Sequence, residues 1–162
     1  MKQLALQYQF LYRVILLIIV WVILVTDVQG FYTHANVVLM DSLQNYSLSF
    51  IELLGYQVFS EGRLFGIVGS TGVILGAPCD GLSLMYLYAG FIIALPGKWQ
   101  RKLIWSLSGV ITIHILNLIR VILLVAITME HRDWLAFNHD YSFTLGMYLI
   151  ILISWVVYVR KI

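Results

Sequence analysis

From Leu103 to Thr128 the chain carries a single charge, Arg120. So long an apolar stretch has few ways to fold. In hydrocarbon every backbone N–H and C=O must be satisfied within the protein, which leaves the α-helix or the closed barrel. A helix crosses the bilayer core in about 20 residues, with a range of roughly 17–25. Three more apolar runs accompany this one, at Val14 to Val25, Leu82 to Pro96 and Tyr141 to Val159. Hydrophobic residues make up 61% of the chain and charged residues 11%, against about 45–50% and about 25% in a soluble domain. The reading is an all-α integral membrane protein forming one domain over residues 1–162. Its spans fall at 11–26, 80–97, 103–128 and 141–159, with an extracytoplasmic segment at 27–79. Pro78 and Pro96 bracket the second span, as the backbone restrictions of proline favour.

The charges orient this arrangement. With a cytoplasmic N-terminus, Lys2, Arg13, Lys98, Arg101, Lys102, Arg160 and Lys161 lie inside, seven of the ten basic residues. All eight acidic residues fall outside. The Lys/Arg bias is the diagnostic part, and KWQRK between the second and third runs carries most of it. The first run also fits a signal peptide, although Val28-Gln29-Gly30 lacks the paired small residues of a cleavage site. A net charge of +2 is too small to suggest nucleic acid as a partner. A lone cysteine, Cys79, excludes an intramolecular disulfide and any C-x-x-C redox pair.

Within 27–79, Leu39, Leu43, Tyr46, Phe50 and Leu54 recur at helical spacing. They predict a helix on or near the membrane surface. Two turn-like clusters follow, Ser60-Glu61-Gly62 and Gly69-Ser70-Thr71-Gly72, between short β-branched and aromatic runs. They predict a short β-hairpin of two or three strands. The alternative is a re-entrant glycine-rich loop, which needs protein cover at membrane depth.

Three polar residues converge in this topology. Cys79 stands at the outer start of the second span. Arg120 lies in the third span, about 12 Å below its outer end at Thr128 by helix rise. His139 lies just before the fourth run. An arginine in a span costs roughly 2.5–3.5 kcal/mol at the helix centre and normally faces the bundle interior with a partner. His114, Asn117 and Arg120 share one face. Arg120 is thus either a functional cation or a structural one paired with Asp133 or Asp140. Cys79 on its own is more often a buried small hydrophobe than a nucleophile. Its place in a turn, followed by Asp80 and Gly81, sets it apart from an apolar stripe.

A thiol with an ordinary pKa near 8.5 is only a few per cent thiolate at neutral pH. A cation about 4 Å away, at an effective dielectric of 20, contributes about 4 kcal/mol, or roughly three pKa units. Arg120 or a protonated His139 therefore decides whether Cys79 is nucleophilic, while Asp80 opposes it. His139 is the natural acid–base group beside a thiol. His131 and His139 lack a third ligand for zinc. No metal or organic cofactor is expected.

Cys79-Asp80-Gly81-Leu82, then Asn117-Leu118-Ile119-Arg120-Val121, then His139 with Asp140, resemble in order and spacing the exosortase/archaeosortase family of membrane cysteine transpeptidases. The resemblance covers roughly Tyr56 to the C-terminus. It implies a Cys79, Arg120, His139 catalytic set, with Asn117, Asp80, Gly81 and Asp140 in support. It also implies substrate proteins with a C-terminal sorting signal, made of a short motif, a transmembrane helix and a basic cluster. These would be cut at the outer face of a bacterial cytoplasmic membrane, with lipid as the surrounding partner. Two features depart from the family pattern. The chain is far shorter than eight-span members, and Asp80 stands where Ser or Asn is usual. The rival reading is a non-enzymatic membrane assembly or interaction protein in which Cys79 is inert. A thiol oxidoreductase suits a lone cysteine poorly, and no G-x-S-x motif of the rhomboid kind occurs in a span.

Overall fold

The computed structural model describes residues 2–26, 30–76, 79–130 and 143–160. These residues form helices and a small sheet in the order α1 (Lys2–Val25), α2 (Phe31–Leu53), β1 (Val58–Glu61), β2 (Leu64–Ile67), β3 (Val73–Ile74), α3 (Leu82–Ala94), α4 (Trp99–Glu130) and α5 (Phe143–Arg160). The protein is mostly helical.

α4 is the spine. Its 32 residues rise about 48 Å, against a hydrocarbon core of about 30 Å. Leu103, Ile104, Leu107, Ile111, Ile115, Ile119 and Leu123 all project outward along it. That row spans about 30 Å by helix rise, so lipid can cover one flank of the helix from end to end.

The expectation of four spans is met only in part. Among the described residues α4 alone is both long and apolar enough to cross a membrane, and the other apolar helices are shorter. α3 has 13 residues, or about 20 Å. It is stopped at one end by the left-handed Gly81 (φ 76°) and at the other by extended Leu95 before Pro96.

The predicted hairpin is a three-stranded antiparallel meander in the order β1-β2-β3. Val58 pairs with Ile67 and Glu61 with Leu64, while Phe65 pairs with Val73. The chain between β2 and β3 turns back sharply. A Cβ on Gly72 (φ 66°) would sit 2.8 Å from both the Phe65 carbonyl oxygen and the Phe59 ring. The sheet and α2 pack against the C-terminal half of α4.

α2 forms where the apolar spacing predicts a helix, but its faces are divided differently. Asn36, Met40, Leu43, Gln44, Ser47 and Ile51 are buried against the protein, whereas Tyr46, Phe50 and Leu54 are exposed. Spacing alone put Leu43 on the same face as those aromatics. Contact with the sheet rotates that face outward, because Gln44 donates to Ser60 Oγ at 2.9 Å and to the Gly62 carbonyl at 2.8 Å.

Two apolar clusters result. One gathers Leu43 and Ile51 of α2, Phe65, Ile67 and Val73 of the sheet, Cys79, and Val121, Leu124 and Val125 of α4. The other gathers Met85, Tyr88 and Ile92 of α3, Ile113 of α4, and Met147, Ile151 and Tyr158 of α5. In the second, Tyr88 lies so flat against Gly109 of α4 that a Cβ there would fall 1.8 Å from its ring. The Tyr88 hydroxyl reaches Ser154 Oγ of α5 at 2.9 Å.

Candidate active site

The loop that carries Cys79 is built by its neighbours on both sides. β3 delivers the chain to Gly76, whose carbonyl accepts the Cys79 N–H at 2.8 Å. One oxygen of Asp80 accepts the Leu82 N–H at 2.9 Å, closing a side-chain turn that leads into α3. Gly81 takes the left-handed conformation in which a Cβ is unfavourable. A Cβ there would also lie 3.3 Å from Asn117 Nδ2. The loop can therefore sit directly on α4.

Asn117 secures that contact. Its side-chain N–H donates to the Cys79 carbonyl at 2.6 Å, across 38 positions of sequence. Asn117 is only 1% exposed, so its amide is committed to this bond. Arg120 follows three residues on, about 4.5 Å farther along α4 and on the same broad face. It is 9% exposed, as is Cys79. Val121, Leu124 and Val125 form, with Cys79, part of the apolar cluster around this turn of α4. A guanidinium in such surroundings interacts more strongly with nearby groups than it would in water.

Asp80 is 2% exposed. Among the described residues its second oxygen has no hydrogen-bond partner. A carboxylate buried in this way is costly unless a cation faces it. What the structure does show for Asp80 is a side-chain turn onto the Leu82 N–H, a bond that Ser or Asn also makes. The departure from the family pattern at this position therefore keeps the local backbone geometry.

The sequence pointed to seven site residues. Cys79, Asp80 and Gly81 meet Asn117 on α4, and Arg120 occupies the next turn of that helix. His139 and Asp140 lie outside the described residues, as do His131 and Asp133. Sequence reasoning missed Gln44, which clamps the β1–β2 turn from α2. Its signal was present, since Gln44 shares a helical face with Met40, Ser47 and Ile51.

The site lies far along α4 from its basic end. Lys102 marks the basic end of α4, where its ammonium donates to the Ile93 carbonyl. Asn117 stands about 22 Å farther along the helix, less than the roughly 30 Å of a hydrocarbon core. Irregular backbone within hydrocarbon needs protein around it. The sheet and α2, packed on the same half of α4, supply that cover.

The family description "Transmembrane exosortase (Exosortase_EpsH)" matches residues 3–159. The chain belongs to the transmembrane exosortase family. This is a family of membrane cysteine transpeptidases, so a membrane location and a transpeptidase-like role follow at that general level. Comparison with curated proteins and with solved structures gives no match. The family match takes in α1 and α2 as well as the loop and the helices that carry the motifs.

Proposed function

We propose that this chain is a cysteine transpeptidase that cuts the C-terminal sorting signals of exported proteins at the outer side of a bacterial cytoplasmic membrane. The observation that carries the reading is the seating of Cys79-Asp80-Gly81 on Asn117, one turn from the buried Arg120. In a member of this family, that seating brings the backbone of the one cysteine to the helix whose apolar run holds a single charge.

The Cys79 thiolate attacks the scissile peptide carbonyl, forming a C–S bond. His139 takes the thiol proton and returns it to the departing amine as the C–N bond breaks. Arg120 stabilises the thiolate or the oxyanion of the tetrahedral intermediate. Asn117 holds the loop through the Cys79 carbonyl and so positions the sulfur. Asp140 supports His139. An amine, a hydroxyl or water then attacks the thioester, and the thiol is regenerated. β3 stands at one side of the sheet and ends at Ile74, shortly before Cys79. An extended substrate segment pairing along that strand would be led toward the thiol.

The test is processing of a protein bearing a short motif, a transmembrane helix and a basic cluster. Cys79→Ala and Arg120→Ala should leave the signal uncut while the enzyme still inserts in the membrane. Normal cleavage by Cys79→Ala overturns the assignment. A second reading has one observation in its favour, the burial of Cys79 in an apolar cluster. On that reading the thiol is packing in a non-enzymatic assembly protein. A membrane-impermeant thiol reagent separates the two: rapid labelling of the native protein, slowed by Arg120→Ala, favours the nucleophile.

A further inference from the structure

α1 and α3 run antiparallel and leave an apolar groove of about 320 Å³ between them. Val14, Leu17 and Trp21 line one wall, and Leu87, Gly90 and Phe91 the other. Trp21 stacks on Tyr86 with ring centroids 4.5 Å apart, and the Tyr86 hydroxyl donates to the Leu17 carbonyl, so the walls are tied together. At one end the groove is bounded by polar Ser83, whose hydroxyl lies 3.5 Å from that of Tyr32. At the other end, beside Ala94, stand two cations. Arg13 donates to the Ala94 carbonyl at 3.3 Å, and Lys102 to the Ile93 carbonyl at 2.8 Å.

Those cations have no acid near them in sequence. Residues 1–26, 81–129 and 141–162 contain no Asp or Glu. An ion pair among the described residues, Arg63 with Asp41, belongs to α2 and the sheet. Lys102 is only 6% exposed. Two like charges on adjacent carbonyls, one of them buried, favour an anion beside them, and the described residues place no acid there.

We propose that the α1–α3 groove is a binding site for an anionic phospholipid, with an acyl chain between the helices and the phosphate on Arg13 and Lys102. Length and charge select this occupant. From Ser83 to Ala94 the groove is about 16 Å long, half of a roughly 30 Å hydrocarbon core and thus the depth of one leaflet. A transmembrane helix needs the full thickness. A substrate helix followed by a basic cluster would also bring like charge to Arg13 and Lys102. Basic pockets between transmembrane helices suit anionic headgroups. The site is separate from Cys79 and does not depend on the enzymatic reading.

Native mass spectrometry of the full chain, released from detergent after exposure to phosphatidylglycerol or phosphatidylcholine, tests it. Phosphatidylglycerol should be retained preferentially. Arg13→Gln should weaken its retention about fivefold, the effect of one Lys or Arg at an anionic surface, and leave phosphatidylcholine unchanged. Leu87→Trp, at a half-exposed groove position, should reduce retention of both lipids by filling the groove. Circular dichroism checks that each variant is folded, and Lys102→Gln replaces Arg13→Gln if the latter is not. Equal retention of the two lipids overturns the proposal, as does a preference unaffected by either cation variant. So does a photocrosslinker at Leu87 that captures a substrate helix instead of lipid.

Discussion

The two ends of α4 solve different problems. At the basic end α3, α4 and α5 close by shape. Tyr88 fills the notch over Gly109 and touches Ser154 beyond it, and Trp105 meets Tyr158 edge-on. Among the described residues the buried polar ones there are Lys102 and Ser106. At the other end Asn36, Gln44, Ser47, Asp80, Asn117, Arg120 and Thr128 are all buried. Burying a polar group is unfavourable unless it is bonded. Asn117 bonds the Cys79 carbonyl, Asp80 the Leu82 N–H, and Gln44 the β1–β2 turn. The difference separates a part that holds the helices together from a part that holds a reactive geometry.

Gly109→Ala should break the first part with the largest effect. The added carbon cannot fit 1.8 Å from the Tyr88 ring, so the α3–α4 contact must open. A loss of roughly 3 kcal/mol or more is expected for a strained core of this kind, read as a fall in the unfolding midpoint in detergent. Activity should fall only as far as the folded fraction does. A normal melting profile would mean that α3 and α4 are not in this contact.

Asn117→Ala should act on the second part. It leaves the Cys79 carbonyl without its donor, at about 1–3 kcal/mol. Processing should fall well beyond that loss of stability, because the loop loses its register on α4. Equal losses of stability and activity would place Asn117 among the purely structural groups.

Asp80 sharpens the comparison through a pair of variants. Asp80→Ala removes the bond to the Leu82 N–H and should be about 1 kcal/mol less stable than Asp80→Asn, which keeps an acceptor for that N–H. Asp80→Asn also replaces the ionisable group, whose second oxygen has no partner among the described residues, by a neutral amide, so no buried charge has to be carried. It should be at least as stable as the parent, and chemical denaturation reads all three proteins. A parent clearly more stable than Asp80→Asn would mean an ionised carboxylate with a cationic partner.

The smallest effect is expected at Arg63, whose 2.7 Å bond to Asp41 lies at the surface. Arg63→Ala should cost no more than about 1 kcal/mol, with little change in processing. A large loss of processing would extend the functional region onto the outer surface of the sheet.

The sequence by itself determined the helical class, the order of elements, the basic end and the interest of Arg120. These follow from local facts. A long apolar run in hydrocarbon must be helical, and a charge inside one must be accounted for. The motifs around Cys79 and Asn117 were also legible, and they carried the family. Only the tertiary structure decided that α2 turns Tyr46 and Phe50 outward and that the Cys79 carbonyl meets Asn117 across 38 residues. It also decided that Arg13 and Lys102 stand together at the mouth of a groove. Such contacts join segments far apart in the chain. They depend on how whole faces pack, which periodicity within one segment does not specify.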